Sequence, residues 1–383
     1  MLKARYDKLM YDWEYKLTTR DTNRIVRPFE WGTEWLQALE GVDLPPMPEH
    51  KGEDDPALLP YVTELNRRIV EDSDRFYGYT RPTDFRLERH PIRVYGTGSH
   101  ADPVKDDAKY KGKFGTFLRF TSAVCSPYPA NNTVNARWFP AKEGKGPRRA
   151  IIVMPQWNSD AISHCAFGRL FNLQGISMLR LTMPYHDTRM PAELKRADYA
   201  VSANIGRTLA SVRQAVLDIR CCADWLEEQG YEQVGALGTS LGSEYAFLAS
   251  AHDPRISVNV FNHASTYFGD VVWTGHSTRH IRAAVEKVLD QKQLRDAWLG
   301  ISPMAFFEKF ERWAKRSLMI YTRYDQTFLP EFSRQIAAEF ERRSTDATVV
   351  CLPCGHYTLG ETPYKYMDAF NILRFTASAF DRA

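Results

Sequence analysis

The sequence predicts an α/β fold, in which a mostly parallel, doubly wound sheet follows a helical N-terminal extension. Short apolar runs alternate with helical stretches from about residue 114 onward in the 383-residue sequence. This alternation is typical of parallel strands that helices cover on both faces. A second observation is the pattern Gly-Thr-Ser-Leu-Gly at residues 238–242, which stands between an apolar run and a helical stretch. The third is a segment at residues 265–315 that interrupts the alternation.

The composition is that of an ordinary globular protein, and it argues against two classes of partner. Apolar residues make up 44% of the sequence and charged residues 25%, and the formal net charge is +3. So small and scattered a positive charge does not indicate a nucleic-acid-binding surface. No window approaches the roughly eighteen consecutive apolar residues of a transmembrane helix, so no membrane span is predicted.

The N-terminus and the cysteines favour a cytoplasmic location. The first helical stretch carries charges throughout and contains no apolar core of a secretory signal. Six cysteines are present, and the pair Cys351-x-x-Cys354 has no second pair with which to complete a zinc site. We therefore expect reduced, structural thiols, which fit a reducing compartment, and no bound metal.

Residues 1–112 form the predicted N-terminal extension. Helical patterns cover residues 2–17, 30–39 and 61–76, and a proline-rich connector stands between the second and the third. We expect the extension to pack against the main domain or to form a subunit interface in a homo-oligomer. The alternative is that its aromatic side chains help to form the wall of a substrate pocket.

Residues 113–383 form the predicted main domain. Its first two strands are expected to pair antiparallel, and the later ones are apolar runs of the kind found in central parallel strands. A long helix is predicted at residues 205–229, and a closing helix at residues 364–380. The predicted strands cover residues 116–124, 133–139, 150–154, 176–183, 233–237, 256–261, 317–322 and 348–352.

Residues 265–315 form an insertion between the sixth and seventh predicted strands. The insertion contains two helical stretches and the aromatic residues Trp273 and Trp298. Open α/β sheets bind ligands at the carboxyl ends of their strands, so an insertion at this point is expected to lie over the ligand. We interpret it as a helical lid, and its tryptophans favour a substrate with an apolar acyl part.

Ser240 is the predicted nucleophile. A serine on a sharp turn between a strand and a helix stands clear of the sheet, where its oxygen can attack a substrate. Gly238 and Gly242 fit this interpretation, because the turn is strained and the helix packs close to the strand, which leaves no room for a Cβ.

Two later residues have the chemistry and the position to activate Ser240. A serine hydroxyl needs a base that takes its proton and a carboxylate that orients the base. Asp325 follows the seventh predicted strand and His356 follows the last one, so both are expected at the edge where Ser240 lies. Asp270, beyond the sixth strand, is the alternative acid. His164 and His186 are weaker candidates for the base, because neither follows the last strand.

The sequence resembles the α/β-hydrolase superfamily over residues 113–383, in its serine esterase or dienelactone-hydrolase-like branch. The resemblance implies that Ser240 is the nucleophile, Asp325 the orienting acid and His356 the general base, in the chain order of that superfamily. The four segments that carry it are residues 153–158, 238–242, 324–330 and 355–356.

The same resemblance implies an oxyanion hole that two backbone N–H groups form. Leu241 would donate the first hydrogen bond, and Trp157 stands where the superfamily has the second donor. Many members carry His-Gly at the point where this sequence has Pro155-Gln156, so Gln156 stays the alternative to Trp157. Because both donors are backbone groups, the side chains at these positions are free to vary.

The expected activity is hydrolysis of a small-molecule carboxylic ester or thioester through an acyl-enzyme on Ser240. The alternatives are an acyltransferase or a peptidase that uses the same triad, and a catalytically idle binding protein, which the complete triad disfavours. Tyr185, His186, His263 and Trp273 are expected to line the substrate pocket.

No cofactor is expected. Gly96-Thr97-Gly98 is too short for a dinucleotide-binding loop and follows no convincing strand.

Overall fold

A single sheet forms the centre of the protein. The computed structural model describes residues 2–21, 24–44, 46–92, 112–144, 146–343 and 345–381. Within these ranges the strands of the sheet are β1 (Arg86–Pro91), β2 (Phe114–Thr121), β3 (Thr133–Phe139), β4 (Arg149–Met154), β5 (Ile176–Leu181), β6 (Gln233–Thr239), β7 (Ile256–Asn262), β8 (Arg316–Thr322) and β9 (Asp346–Leu352).

The sheet is parallel except at one edge. Its strand order is β1-β2-β3-β5-β4-β6-β7-β8-β9. The pairs β1–β2, β2–β3 and β3–β5 are antiparallel, and the other five pairs are parallel. The prediction of a mostly parallel sheet that opens with an antiparallel pair is therefore confirmed.

Helices surround the sheet. They are α1 (Leu2–Thr18), α2 (Thr33–Gln37), α3 (Leu59–Glu71), α4 (Ser73–Phe76), α5 (Ala166–Asn172), α6 (Ile205–Glu228), α7 (Leu241–Ala251), α8 (Phe268–Thr274), α9 (Arg279–Val285), α10 (Gln291–Ala297), α11 (Phe307–Phe310), α12 (Pro330–Arg342) and α13 (Tyr364–Phe380). None of the helices in the described ranges is both long enough and apolar enough to cross a membrane.

Both faces of the sheet are buried, as the continuous apolar runs predict. Successive side chains of a strand point to opposite faces, and in β4 Ile152 belongs to one core while Ile151 belongs to the other. Helices α6, α7 and α12 contribute to the first core, and α5 and α13 contribute to the second. The doubly wound arrangement follows from this pattern, because each face needs helices to cover it.

The N-terminal extension packs against the main domain on both sides of the sheet. Trp31 and Ile69 are fully buried in the first core, and Met10 of α1 lies in the second. Asn66 of α3 donates a hydrogen bond of 2.7 Å to the carbonyl O of Ala297, at the end of α10. The extension thus contacts the insertion as well as the sheet.

Strand β1 lies within the predicted extension, where the sequence predicts no regular element. Its residues Arg-Leu-Glu-Arg-His-Pro are mostly charged, because β1 is an edge strand with exposed or half-exposed side chains. The division of the chain at residue 112 stays a prediction. Gly96-Thr97-Gly98 lies outside the described residues.

The insertion at residues 265–315 consists of short helices, α8 to α11. Trp298 does not face a ligand cavity but is fully buried, with its ring 5.5 Å from that of Phe268. Its indole N–H donates a hydrogen bond of 3.2 Å to the carbonyl O of Ile205. The expectation that Trp298 favours an apolar substrate is therefore wrong, because this side chain anchors the insertion to the start of α6.

Candidate active site

Ser240 lies on the turn between β6 and α7, with φ 57° and ψ −122°. Few residues other than glycine adopt a positive φ, so the turn is strained. A Cβ at Gly238 would stand 2.0 Å from the carbonyl O of Gly242, and a Cβ at Gly242 would stand 2.2 Å from the carbonyl O of Met154. Both positions therefore require glycine, because α7 begins in contact with the ends of β6 and β4.

The side chains of Ser240, His356 and Asp325 are connected by hydrogen bonds. His356 Nε2 lies 2.9 Å from Ser240 Oγ, and His356 Nδ1 lies 2.9 Å from Asp325 Oδ2. The three residues follow β6, β9 and β8, so all stand at the carboxyl edge of the sheet. Since Nδ1 faces a carboxylate, it carries the proton of the neutral ring and leaves Nε2 to accept the serine proton.

Asp325 is buried and is held by donors on both carboxylate oxygens. Its Oδ1 accepts hydrogen bonds from the backbone N–H groups of Thr327 and Phe328, at 2.8 and 2.7 Å. Burial raises the pKa of Asp325, but the charges and hydrogen bonds of His356 and His263 outweigh burial and hold it below its ordinary value. The carboxylate is therefore ionised at neutral pH.

His263 is a second histidine on the same carboxylate. Its Nδ1 lies 3.0 Å from Asp325 Oδ2, and its ring lies 4.1 Å from the His356 ring. Burial and the charge of His356 lower the pKa of His263 to about 4, although Asp325 opposes them. The ring is therefore neutral at pH 7 and donates its Nδ1–H to Asp325.

The sequence predicts no metal here, and hydrogen bonds occupy the atoms that would bind one. Ligand atoms of His263, Asp325 and His356 lie within 4.8 Å of one another. Asp325 Oδ2 instead accepts hydrogen bonds from Nδ1 of both histidines.

Glu14 of α1 contacts the loop that carries His356. It is not among the site residues that the sequence predicts. Its carboxylate is fully buried and accepts hydrogen bonds of 2.9 Å from the backbone N–H groups of Tyr357 and Thr358. A Cβ at Gly355 would stand 2.3 Å from Glu14 Oε2, so only glycine permits this approach.

The four-residue spacing of Met10, Glu14 and Thr18 is visible in the sequence, but their burial is visible only in the structure. Met10, Glu14 and Thr18 are spaced four residues apart and form one fully buried stripe of α1. A carboxylate in the middle of such a stripe needs donors.

The charge of Glu14 acts on His356. Burial lowers the pKa of His356, but the charge and hydrogen bond of Asp325, together with the charge of Glu14, raise it above its ordinary value. Burial and the charge of Asp325 in turn raise the pKa of Glu14, while its backbone donors oppose them. Two acidic groups therefore favour the protonated form of the histidine ring.

The predicted oxyanion-hole residues are close to Ser240 in the fold. Leu241 is the first residue of α7, so its N–H has no partner within the helix. Met154 of β4 pairs with Gly238 of β6, which brings the loop with Gln156 and Trp157 next to the turn.

The side chain of Trp157 fixes this loop. Its indole N–H donates a hydrogen bond of 2.9 Å to the carbonyl O of Ala197, and its ring stacks on His280 at 6.0 Å.

Of the four residues expected in the substrate pocket, His263 lines the cavity over Ser240, whereas Tyr185, His186 and Trp273 do not. Tyr185 is buried in a separate aromatic cluster with Tyr128 and Tyr199. His186 is buried, and its Nε2 accepts a hydrogen bond of 3.0 Å from the backbone N–H of Asn158. The part of this loop that carries Tyr185 and His186 thus supports the loop with Trp157 and Asn158 rather than contacting the cavity.

The insertion holds two further candidates away from the triad: Trp273, which was expected in the pocket, and Asp270, the alternative acid. The ring of Trp273 packs under the guanidinium of Arg282, 4.9 Å away, and does not line the cavity. The alternative acid Asp270 forms an ion pair of 2.8 Å with Arg295 and accepts a hydrogen bond from Gln291.

His164, the other candidate base, lies at the cavity but contacts a different hydroxyl. Its Nε2 is 2.9 Å from Thr239 Oγ1. His356 is therefore the histidine that the fold brings to Ser240.

A cavity of about 760 Å³ opens over Ser240 and His356. Gln156, Trp157, Leu241 and His263 line it, and so does part of the insertion. Its apolar wall consists of Phe167, Leu170, Phe268, Val271, Val272 and Phe328. The extension contributes the charged residues Arg20, Asp21 and Arg24 to the wall, rather than the aromatic side chains of the alternative interpretation.

Comparison with solved structures shows the fold. The chain is similar to acetyl xylan esterase from Paenibacillus sp. R4, with 12% identity and a TM-score of 0.54 over 89% of this chain and 98% of that chain. It is also similar to acetyl xylan esterase 1 from Thermoanaerobacterium sp. JW/SL YS485, with 14% identity and a TM-score of 0.53 over 91% and 98% of the two chains. The predicted α/β-hydrolase fold is confirmed.

A larger protein shares the same fold in part. Acylaminoacyl peptidase from Pyrococcus horikoshii matches with 11% identity and a TM-score of 0.51 over 67% of this chain, which spans only 40% of the peptidase. No model of a protein family matches the sequence, and no curated protein matches it.

Proposed function

We propose that this protein is a serine hydrolase that cleaves a carboxylic ester or thioester through an acyl-enzyme on Ser240. The observation that carries the proposal is the pair of 2.9 Å hydrogen bonds that connect Ser240 to His356 and His356 to Asp325. The strained turn supports it, because it holds the hydroxyl at the floor of a cavity rather than in the sheet.

Acylation begins when Ser240 Oγ attacks the carbonyl carbon of the substrate. His356 Nε2 accepts the serine proton as the new C–O bond forms, and the ionised Asp325 stabilises the imidazolium. When the tetrahedral intermediate collapses, His356 donates this proton to the departing alcohol or thiol. Water then attacks the acyl-enzyme with His356 as base, which releases the acid and restores Ser240.

The developing oxyanion needs hydrogen-bond donors that are already in place. In our proposal the backbone N–H of Leu241 is one donor, and that of Trp157 or Gln156 is the other. Removing one such donor typically costs about 10² to 10³ in rate. The hydrogen bond from the Trp157 indole to Ala197 supports this role, because it holds the loop still during the reaction.

The cavity wall supports an acyl or alcohol group with an apolar part. The side chains of α8 that face the cavity are Phe268, Val271 and Val272, and Phe328 packs beside His356 with the ring centres 5.2 Å apart. The insertion acts as a cover in this proposal, through α8 rather than through its tryptophans. The partner is a small molecule, and the protein works without a cofactor.

Labelling with a fluorophosphonate probe tests the proposal. The wild-type protein is expected to be labelled and to hydrolyse p-nitrophenyl esters of short and medium chain length, and Ser240→Ala should lose both properties. Ser250→Ala is the matched control, because Ser250 lies on the same helix with its hydroxyl bonded to the carbonyl O of Ile256. Equal labelling of wild type and Ser240→Ala would reject Ser240 as the nucleophile.

The same assay separates the alternative reactions. An aminoacyl p-nitroanilide tests for a peptidase, and product analysis with an added alcohol or amine acceptor tests for an acyltransferase. Turnover of the anilide in preference to every ester would overturn the choice of an esterase while leaving the triad in place.

A further inference from the structure

The extension places cationic side chains in the wall of the catalytic cavity. Arg20 and Arg24 stand in this wall together with Arg196, which comes from the loop before α6. None of these three arginines has a role in the proposed reaction at Ser240. Their presence in the same cavity as the nucleophile raises the question of what they bind.

Arg24 is the most buried residue that the extension contributes to this wall. Only 6% of its side chain is exposed, and no described residue accepts a hydrogen bond from its Nη1. A buried guanidinium N–H without an acceptor is destabilising, because it has lost its hydrogen bonds to water and forms no other in their place. The side chain is therefore prepared for an acceptor that enters the cavity.

Arg24 is also close to the reacting groups. Its Nη2 lies 3.5 Å from the hydroxyl of Tyr357, and the ring of Tyr357 lies 5.6 Å from the ring of His356. One phenol ring thus separates the guanidinium from the histidine that would act as base. A substrate that reaches Arg24 can still place its ester carbonyl at Ser240.

The carboxylates of the protein only partly neutralise this region. Asp21 lies 3.6 Å from Arg24 and 3.4 Å from Arg196, both longer than a charge-assisted hydrogen bond. Asp198 lies 3.6 Å from Arg196 and 3.8 Å from Arg27.

The charges of Arg24 and Arg196 also act on a neighbouring histidine, His280. Burial, followed by the charges of Arg24, Arg196 and Arg279, lowers the pKa of His280 to about 3. His280 stacks on Trp157, so these charges act close to the loop that carries Gln156 and Trp157.

We propose that Arg24 binds a carboxylate on the substrate, so that this enzyme acts on esters or thioesters that carry a second, anionic end. The inference rests on the proposed function, because it assigns one end of the substrate to Ser240 and the other to Arg24. Arginine suits a carboxylate, since its planar N–H groups match the two oxygens. Asp21 beside Arg24 disfavours a dianion such as a phosphate monoester and leaves room for one negative charge.

A pair of substrates that differ only in this charge tests the inference. One is the p-nitrophenyl ester of adipic acid with its distant carboxylate free, and the other has this carboxylate methylated. We expect the wild type to have a higher kcat/KM for the anionic ester. Arg24→Gln should lower that kcat/KM by about 10- to 100-fold, the value of a hydrogen bond between charged groups, and change that of the methylated ester by less than about threefold.

Arg5→Gln is the matched control for this experiment. Arg5 is an exposed residue of α1 that does not line the cavity, and its substitution removes the same charge. It should leave the ratio between the two substrates unchanged. If Arg24→Gln slows both esters equally, or if the wild type does not prefer the anionic ester, the inference is wrong.

A binding measurement keeps the inference independent of turnover. Monomethyl adipate and dimethyl adipate are titrated calorimetrically into the Ser240→Ala variant and into the double variant that also carries Arg24→Gln. Monomethyl adipate should bind more tightly than dimethyl adipate to the protein that retains Arg24, and Arg24→Gln should remove this difference. Equal affinity of the two esters would overturn the anion site. Selective binding of the monoanion by a wild type that neither hydrolyses esters nor reacts with fluorophosphonate would contradict the proposed function instead.

Discussion

The carboxylate of Glu14 accepts a hydrogen bond of 2.9 Å from the backbone N–H of Thr358, which stands two residues after His356. It accepts another of 2.9 Å from Tyr357, so Glu14 is bonded to both residues that follow the histidine. The first helix of the chain therefore positions the last element of the proposed triad. Its charge also acts on the histidine ring, and this electrostatic effect is separable from the structural one.

Glu14→Gln should move the acidic limb of the pH profile of kcat/KM to lower pH. The base must be neutral to accept a proton, so activity is lost as the pH falls through the pKa of His356. The charge of Glu14 raises this pKa, and its removal lowers it. The measurement is kcat/KM for a p-nitrophenyl ester between pH 5 and 9.

A charge change elsewhere on α1 provides the control. Asp12 is exposed and pairs with Lys8 on the same helix, so Asp12→Asn should leave the pH profile unchanged. If the acidic limb of the kcat/KM profile does not move in Glu14→Gln, then Glu14 only supports the loop that carries His356.

Asp325→Asn should lower kcat by roughly 10⁴, because the amide favours the wrong tautomer of His356 and cannot stabilise the imidazolium. The comparison is Asp270→Asn, whose native carboxylate is bonded to Arg295 and Gln291. We expect that variant to stay within about tenfold of the wild type. A greater loss in Asp270→Asn than in Asp325→Asn would exchange the roles of the two acids. Steady-state kinetics with p-nitrophenyl acetate distinguish these outcomes.

His263→Ala should lower kcat by about tenfold with little change in KM, equivalent to ~1.4 kcal/mol of transition-state stabilisation. Asp325 loses a donor in this variant and orients His356 less well. His263→Asn should restore part of the loss, because its amide N–H can donate in the same direction. Since His263 also lines the cavity, a rise in KM at constant kcat would instead show that it acts in substrate binding, which is the role that the sequence predicts for it.

Gly242→Ala should lower the free energy of unfolding by about 3 kcal/mol or prevent folding, because the new Cβ would overlap backbone atoms of β4. Gly52→Ala is the control, since its Cβ would lie 3.5 Å from the nearest heavy atom outside its immediate neighbours, an ordinary contact. We expect a change within about 0.5 kcal/mol for that variant. Urea denaturation followed by tryptophan fluorescence measures both values. A Gly242→Ala protein as stable as the wild type would contradict the close approach of α7 to β4.

The sequence predicts the parallel part of the sheet well, because both faces of these strands are buried. The apolar runs at β4 and β6 to β8 have no other interpretation between helical patterns and turns. Strand β1 escapes prediction because an exposed edge strand does not need an apolar face. Helices α5 and α12, of 7 and 13 residues, are likewise not predicted, since the alternation of strands is the stronger signal.

Some of the site residues are marked by the sequence immediately around them, whereas others depend on contacts with distant parts of the chain. Ser240 lies in a motif whose glycines are required by contacts within a few residues and with one adjacent strand. Asp325 and His356 follow strands, so topology brings them to the same edge. Glu14 and Arg24 have no such local pattern, because the contacts that connect them to the histidine loop, at Thr358 and Tyr357, are more than 300 residues away in the chain. A single sequence does not contain the information that pairs them.

Helix α1 contacts two loops that are synthesised more than 300 residues after it. Asp7 accepts a hydrogen bond of 2.6 Å from Tyr324, and the carbonyl O of Tyr11 accepts one of 2.8 Å from Gln326, on either side of Asp325. Glu14 binds the histidine loop some thirty residues further along. The N-terminal helix therefore cannot form these native contacts until residues 324–358 have been synthesised. The proposed triad is thus expected to be fully supported only after that stage of synthesis, so a shorter nascent chain should not yet have the proposed activity.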